Sequence, residues 1–144
     1  MTRIDFYLLS DATEEAREVF ACRLAHRAWR SGFRVLLCAA DDRAATRLDE
    51  KMWEVPEDAF MPHEIATRAP AAPVAITIEP EFEHFDQVLI NLAAEVPLMF
   101  SRFERVAEVV PQDVNARALS RERYRFYRDR GYPLQHHEIS ASTL

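Results

Sequence analysis

The sequence predicts a single α/β domain with a mainly parallel sheet and helices on both faces. Short, almost continuously apolar runs at Ile4–Leu9 (IDFYLL) and Phe33–Ala40 (FRVLLCAA) have the pattern of strands covered on both sides, and Val74–Ile78, Gln87–Leu92 and Arg105–Val110 also read as strands. Helical segments with clear start and stop signals lie between them, and strands alternating with helices imply a parallel sheet. A length of 144 residues, 49% hydrophobic and 29% charged, suits one domain with a real core.

After the first strand, Asp11 is placed to cap a helix and Glu14 to return the bond. Glu14, Glu15 and Glu18 crowd the first turns and Arg23, Arg27 and Arg30 the last, which suits the helix dipole. Ala16, Phe20, Leu24 and Ala28 form the expected buried face, and Ser31-Gly32 ends the helix. The opening is therefore a β-α-β unit, with the parallel crossover expected to be right-handed. Asp41 caps a second helix with Ala44, Leu48 and Met52 inward. Glu54–Pro73 is expected to be irregular, interrupted by Pro56, Pro62, Pro70 and Pro73, with Ala66–Pro73 an exposed loop. Pro97 fits the first position of a short helix carrying Phe100 and Phe103. The domain is expected to span residues 1–134, with 135–144 a loose tail.

Several function classes are excluded or unsupported. No apolar run approaches the length that crosses a bilayer, and Arg3 and Asp5 interrupt the N-terminal segment where a signal peptide would be apolar, so a cytoplasmic protein is expected. The chain has two glycines, Gly32 and Gly131, which rules out a GxGxxG turn or a Walker A loop and with them the usual nucleotide cofactors. Cys22 and Cys38 lack CxxC spacing and read as inert core thiols. The five histidines form no ligand set, His136-His137 lying in the expected tail, so no metal is expected. Glu79, Glu81, Glu83 and Asp86 can be read as paired carboxylates or a cation site, or as a solvated acidic turn; the turn is the better reading, although Phe82 and Phe85 could desolvate one acid. No GxSxG elbow is present. Catalysis has no positive support.

Against a net charge of -6, six arginines fall between Arg117 and Arg130 with only Glu122 and Asp129 opposing them. On a helix over 112–130, at about 100° per residue, Arg117, Arg121, Tyr124 and Arg128 share an arc of roughly 60°, with Arg125 at its edge. Ala116, Leu119, Phe126 and Tyr127 share a second arc, expected to be buried; Arg123 lies on that side with no evident role beyond a snorkelling stem. An arginine stripe around a tyrosine is either a solvated helix face or a receptor for carboxylates or phosphates carrying an apolar group. The single sign of charge favours the receptor, and the acidity of the whole disfavours a free-standing nucleic-acid binder. Trp53, Val55, Phe60 and Met61 lie in the proline-broken segment, where large apolar side chains are lids over the core or anchors for a partner.

Four motifs in order, FYLL at Phe6–Leu9, AxRAWRSGxRVLL at Ala25–Leu37, LDExMWxxPxxxFxPH at Leu48–His63 and RERYxxYRxxG at Arg121–Gly131, resemble the chi subunit of bacterial DNA polymerase III holoenzyme. The resemblance covers Phe6 to about Leu134. It implies a Rossmann-like three-layer fold without a nucleotide site and a non-catalytic clamp-loader accessory role. It implies two docking surfaces as well. One takes the acidic, phenylalanine-ended C-terminal tail of single-stranded DNA-binding protein, at positions matching Val110, Arg117, Arg121, Tyr124, Arg125 and Arg128. The other takes the psi subunit, at positions matching Trp53, Phe60, Met61 and Pro62, a surface that some members also use for an accessory helicase. Arg117 and Arg125 stand where the family often has lysine. The competing readings are a direct binder of single-stranded nucleic acid using the same stripe, and a small hydrolase.

Overall fold

The apolar runs become strands and the punctuated segments become helices. The computed structural model describes residues 1–57, 59–66, 70–79 and 85–140. In chain order they form β1 (Arg3–Leu9), α1 (Glu14–Arg30), β2 (Val35–Cys38), α2 (Asp42–Glu54), β3 (His63–Ile65), β4 (Val74–Thr77), β5 (Val88–Asn91), a 3-10 turn at Phe100–Arg102, β6 (Arg105–Val110), α3 (Val114–Asp129) and β7 (Leu134–Ile139). The seven strands form one sheet in the order β3-β4-β2-β5-β6-β1-β7, with every pairing parallel. The opening β-α-β unit is present, but β5 and β6 lie between its two strands. Side chains alternate across the sheet. Leu37, Ile76, Ile90 and Val109 meet α1 and α2 on one face, while Phe6, Leu36, Leu89 and Val106 meet α3 and the 3-10 turn on the other. This is a three-layer, Rossmann-like arrangement.

Several local expectations are corrected. Thr13, not Asp11, caps α1, its side chain accepting from the Ala16 N–H at 3.1 Å. The buried face of α1 is Phe20, Ala21, Cys22 and Ala25, with Leu24 and Ala28 only partly covered. In α2, capped by Asp41 as expected, Ala45 rather than Ala44 is buried beside Leu48 and Met52. The proline-rich stretch contains β3, because His63–Ile65 can add to the edge of β4, and Ala66 beyond it is buried rather than exposed. The short helix expected to start at Pro97 is a single 3-10 turn, Phe100–Arg102. The expected loose tail is, as far as Ile139, the edge strand β7, paired with β1 along its length.

Glu108 points from β6 into the interior under α3 and has no exposed surface. Arg123 Nε donates to its Oε1 at 2.8 Å, and the Tyr127 hydroxyl and Asn91 Nδ2 donate to its Oε2 at 2.7 and 3.0 Å. Arg123 also donates to the Ala94 carbonyl at 3.0 Å, and Asn91 to the Glu95 carbonyl at 3.1 Å, so one carboxylate joins β5, β6, α3 and the loop after β5. Burial pushes the Glu108 carboxyl up, and Arg123, Asn91 and Tyr127 pull it back. The arginine without an evident role is therefore the helix's anchor.

Two predictions follow from the interior. Glu108→Ala or Arg123→Ala alone should cost about 3–5 kcal/mol, since each leaves a buried charge uncompensated, whereas the apolar pair Glu108→Leu with Arg123→Met should cost less than either. Urea denaturation measures this, and a double variant as unstable as the sum of the singles would contradict it. Burial pushes the Cys22 and Cys38 thiols up to about 12 and about 11. Neither should react with iodoacetamide at pH 8 in the folded protein, and both should react in urea, as read by mass spectrometry.

Candidate functional site

The cationic segment is α3, capped by Asp113, whose side chain accepts from the Ala116 N–H at 2.9 Å, and followed by Gly131 at φ 79°. Its buried residues are Ser120, Arg123 and Tyr127, with Ala116 half-buried in line with them. Of the expected apolar arc, Leu119 is exposed and Phe126 only half-buried. The helix thus rests on one narrow strip and carries its arginine stripe to one side of it.

The fate of each arginine separates the stripe into structural and available groups. Arg117 is half-buried; its Nε donates to the Pro111 carbonyl at 3.1 Å and a terminal nitrogen to the Leu9 carbonyl at 2.8 Å, which ties the start of α3 to the end of β1. Arg123 belongs to the Glu108 cluster. Arg130 lies 3.6 Å above the Phe126 ring and donates to the Phe126 carbonyl. Arg128 is exposed and meets only its neighbour Asp129, at 3.1 Å, a pair too solvated to hold it in place. Arg121 and Arg125 are exposed and have no side-chain partner among the described residues.

Tyr124 sits between the stripe and the sheet. It is half-buried, edge-on to Phe6 with ring centres 5.7 Å apart and 5.0 Å from the His136 ring of β7. Its ring therefore meets solvent beside Arg121 and Arg128 rather than being sealed inside. Val110 is fully buried and offers no surface to a ligand, contrary to its expected part in the site. Beyond it, at the carboxyl ends of β1 and β7, Leu8, Ser10, Gln112, Arg117 and Glu138 line an open cleft of about 470 Å³. That is where open α/β sheets place ligands.

At the opposite sheet edge, Trp53 and Phe60 are 62% and 64% exposed, with ring centres 6.0 Å apart. Trp53 also rests 4.8 Å from the His63 ring. His63 is held beneath it, Nδ1 donating to the Met61 carbonyl at 2.7 Å and Nε2 lying 3.2 Å from Asp49 Oδ1. Pro62 is half-buried. Met61 is 1% exposed and belongs to the core, so it supports this surface without forming it.

Other candidates disperse. Residues 80–84, which hold Glu81, Phe82 and Glu83, lie outside the described residues; Phe85 is buried in the α3-side core, where the Arg34 guanidinium lies 4.4 Å over its ring. His136 and His137 are neighbours in a strand and so point to opposite faces, the first to Tyr124 and the second to Asp5 at 2.9 Å. Among the described residues no three metal-ligating side chains stand together. His136 was missed as part of the Tyr124 surroundings because its strand was expected to be a tail.

Comparison with known proteins adds an independent line. The profile of the family described as "DNA polymerase III chi subunit, HolC" matches residues 1–135. The "DNA polymerase III subunit chi" of Pseudomonas aeruginosa is 44% identical over 140 residues, covering 96% of this chain and 98% of that protein. The Escherichia coli (strain K12) protein of the same name is 36% identical over 93% of this chain and 96% of its own length, and that of Haemophilus influenzae 32% identical over 90% and 92%.

Proposed function

This chain belongs to the DNA polymerase III chi subunit family, an accessory component of DNA replication, and from that premise we propose that it is a cytoplasmic, non-catalytic connector with two docking surfaces. One receives the acidic, phenylalanine-ended C-terminal tail of single-stranded DNA-binding protein. The other receives the psi subunit, and through it the clamp loader.

The observation that carries the first assignment is the availability of Arg121 and Arg125. Arg117, Arg123 and Arg130 are engaged within the protein and Arg128 meets only the exposed Asp129, whereas Arg121 and Arg125 stand exposed with no side-chain partner among the described residues. Guanidinium forks match carboxylates in pairs, and a chain end supplies several at close spacing. Arg121, Arg125 and Arg128 grip the tail's aspartates and terminal carboxylate, and the last aromatic ring packs against Tyr124 and His136. Arg117 serves chiefly to fix the start of α3 and also lines the cleft. In an otherwise acidic protein, local positive charge steers an acidic segment to α3 and accelerates its capture.

The second assignment rests on the Trp53–Phe60 pair, two large exposed aromatics of which Trp53 rests against the His63 ring. Exposed aromatics of this kind are the usual anchors of a protein interface. β3 and β7 are the two edges of a seven-stranded sheet, six strand spacings or roughly 29 Å apart at about 4.8 Å each. Both partners can therefore be held at once.

An acidic peptide ending in phenylalanine should bind with a Kd on the order of micromolar and weaken as salt rises from about 50 to 500 mM. Arg121→Ala should weaken it about tenfold and the double variant Arg121→Ala with Arg125→Ala further, as measured by calorimetry. An unaffected double variant, or tighter binding of a single-stranded oligonucleotide, would favour the nucleic-acid reading. Trp53→Ala and Phe60→Ala should lose capture of psi while keeping both the melting temperature and the peptide affinity. Met61→Ala should instead lose about 2–5 kcal/mol of stability, since it empties core volume.

A further inference from the structure

A cavity of about 420 Å³ lies between α1 and the strands β1, β6 and β7. It is on the sheet face opposite α3, because Asp5, Tyr7 and His137 alternate with the α3-facing Ile4, Phe6 and His136. Its apolar lining is Phe20, Leu24, Ala28, Phe33 and Val88, and its polar lining is dominated by Arg3, Asp5, Tyr7, Arg27, Arg105 and His137. A few converging polar groups over an apolar floor, at this size, is the usual make-up of a small-molecule site.

The polar groups are unbalanced. Asp5 is the sole carboxylate of the lining and is already occupied: Arg3 Nε donates to its Oδ2 at 3.2 Å, and His137 Nε2 lies 2.9 Å from its Oδ1. His137 is further fixed by the Tyr7 ring, stacked at 4.8 Å and 18°. Arg27, Arg105 and the Tyr7 hydroxyl have no hydrogen-bond or ion-pair partner among the described residues. Burial and Asp5 push the Tyr7 hydroxyl up against the opposing pull of Arg105, Arg3 and Arg27, so it remains a donor. Three arginines against one aspartate leave a formal charge of +2 here in a chain of -6. Neither the psi-type surface nor the α3 stripe uses any of these groups.

We infer that this cavity is a second anion site, which binds a carboxylate attached to an apolar, aromatic-sized body. The carboxylate sits between Arg27, Arg105 and the Tyr7 hydroxyl, and the apolar body lies on Phe20, Leu24 and Val88. Such a ligand is either a free small acid or the end of a peptide.

The test is a titration of the intact chain with 3-phenylpropionate, followed in two-dimensional 1H–15N spectra, with 3-phenyl-1-propanol as the uncharged comparison. Saturable shifts are expected at Tyr7, Leu24, Ala28 and His137 with a Kd on the order of 1 mM. The alcohol should bind at least about tenfold more weakly, and so should the acid to the double variant Arg27→Gln with Arg105→Gln. Both arginines are exposed, so that variant should keep the wild-type melting temperature. An acidic peptide ending in phenylalanine identifies the source. Shifts at Tyr7 and His137 in addition to α3 assign the cavity to a peptide end, and shifts confined to α3, with the small acid still binding, assign it to a free acid. Absence of saturable shifts with 3-phenylpropionate, or equal affinity for acid and alcohol, would overturn the inference whatever happens at α3.

Discussion

The structure turns on a carboxylate that water never reaches. Glu108 is enclosed between β6 and α3, and its two oxygens are met by three donors from Arg123, Tyr127 and Asn91. Placing such an ion in the interior is costly, and the attraction to Arg123 offsets that cost only with support from further hydrogen bonds, which Tyr127 and Asn91 supply to Oε2. The return is geometric. A helix held to a sheet only by apolar contact can rotate or slide by a residue at modest cost, whereas one whose arginine and tyrosine must both reach the same carboxylate has one register. With that register set, Arg121, Arg125 and Arg128 can lie only on the solvent side, beside Tyr124.

Seen this way, the six arginines of the α3 segment fall into distinct physical classes despite their shared chemistry. Arg117 donates to the Pro111 and Leu9 carbonyls and so ties α3 to the end of β1, Arg123 neutralises a buried acid, and Arg130 covers an aromatic ring. What remains for a partner is the subset with nothing to do inside. A charge run in a sequence overstates the surface available for binding whenever some of its members are internal counter-ions.

The fold was legible because its central strands are buried on both faces and its helices carry conventional punctuation; Asp41 and its α2 needed nothing from the rest of the chain. The edges were not. β7 reads Leu-Gln-His-His-Glu-Ile, with polar residues on both faces, because an edge strand is half solvated, and β3 spans only His63–Ile65 between prolines and becomes a strand only because β4 is there to pair with. For the candidate site, helical periodicity grouped Arg121, Arg125 and Arg128, which are exposed on α3. It did not separate Arg117 from Arg121, bury Val110 and Met61, or find the cavity behind Tyr7, since each depends on which distant element covers the residue. One signal was available: a glutamate inside the apolar run of β6 and an arginine on the apolar side of α3 each make little sense alone and are explained together.

The most direct test is a crystal structure of this chain with an acidic, phenylalanine-ended peptide. Carboxylates within about 3 Å of Arg121 and Arg125, with the aromatic end against Tyr124 and Arg123 still on Glu108, would be the predicted result. A peptide seated away from α3, or one that draws Arg123 off Glu108 to bind, would contradict the account.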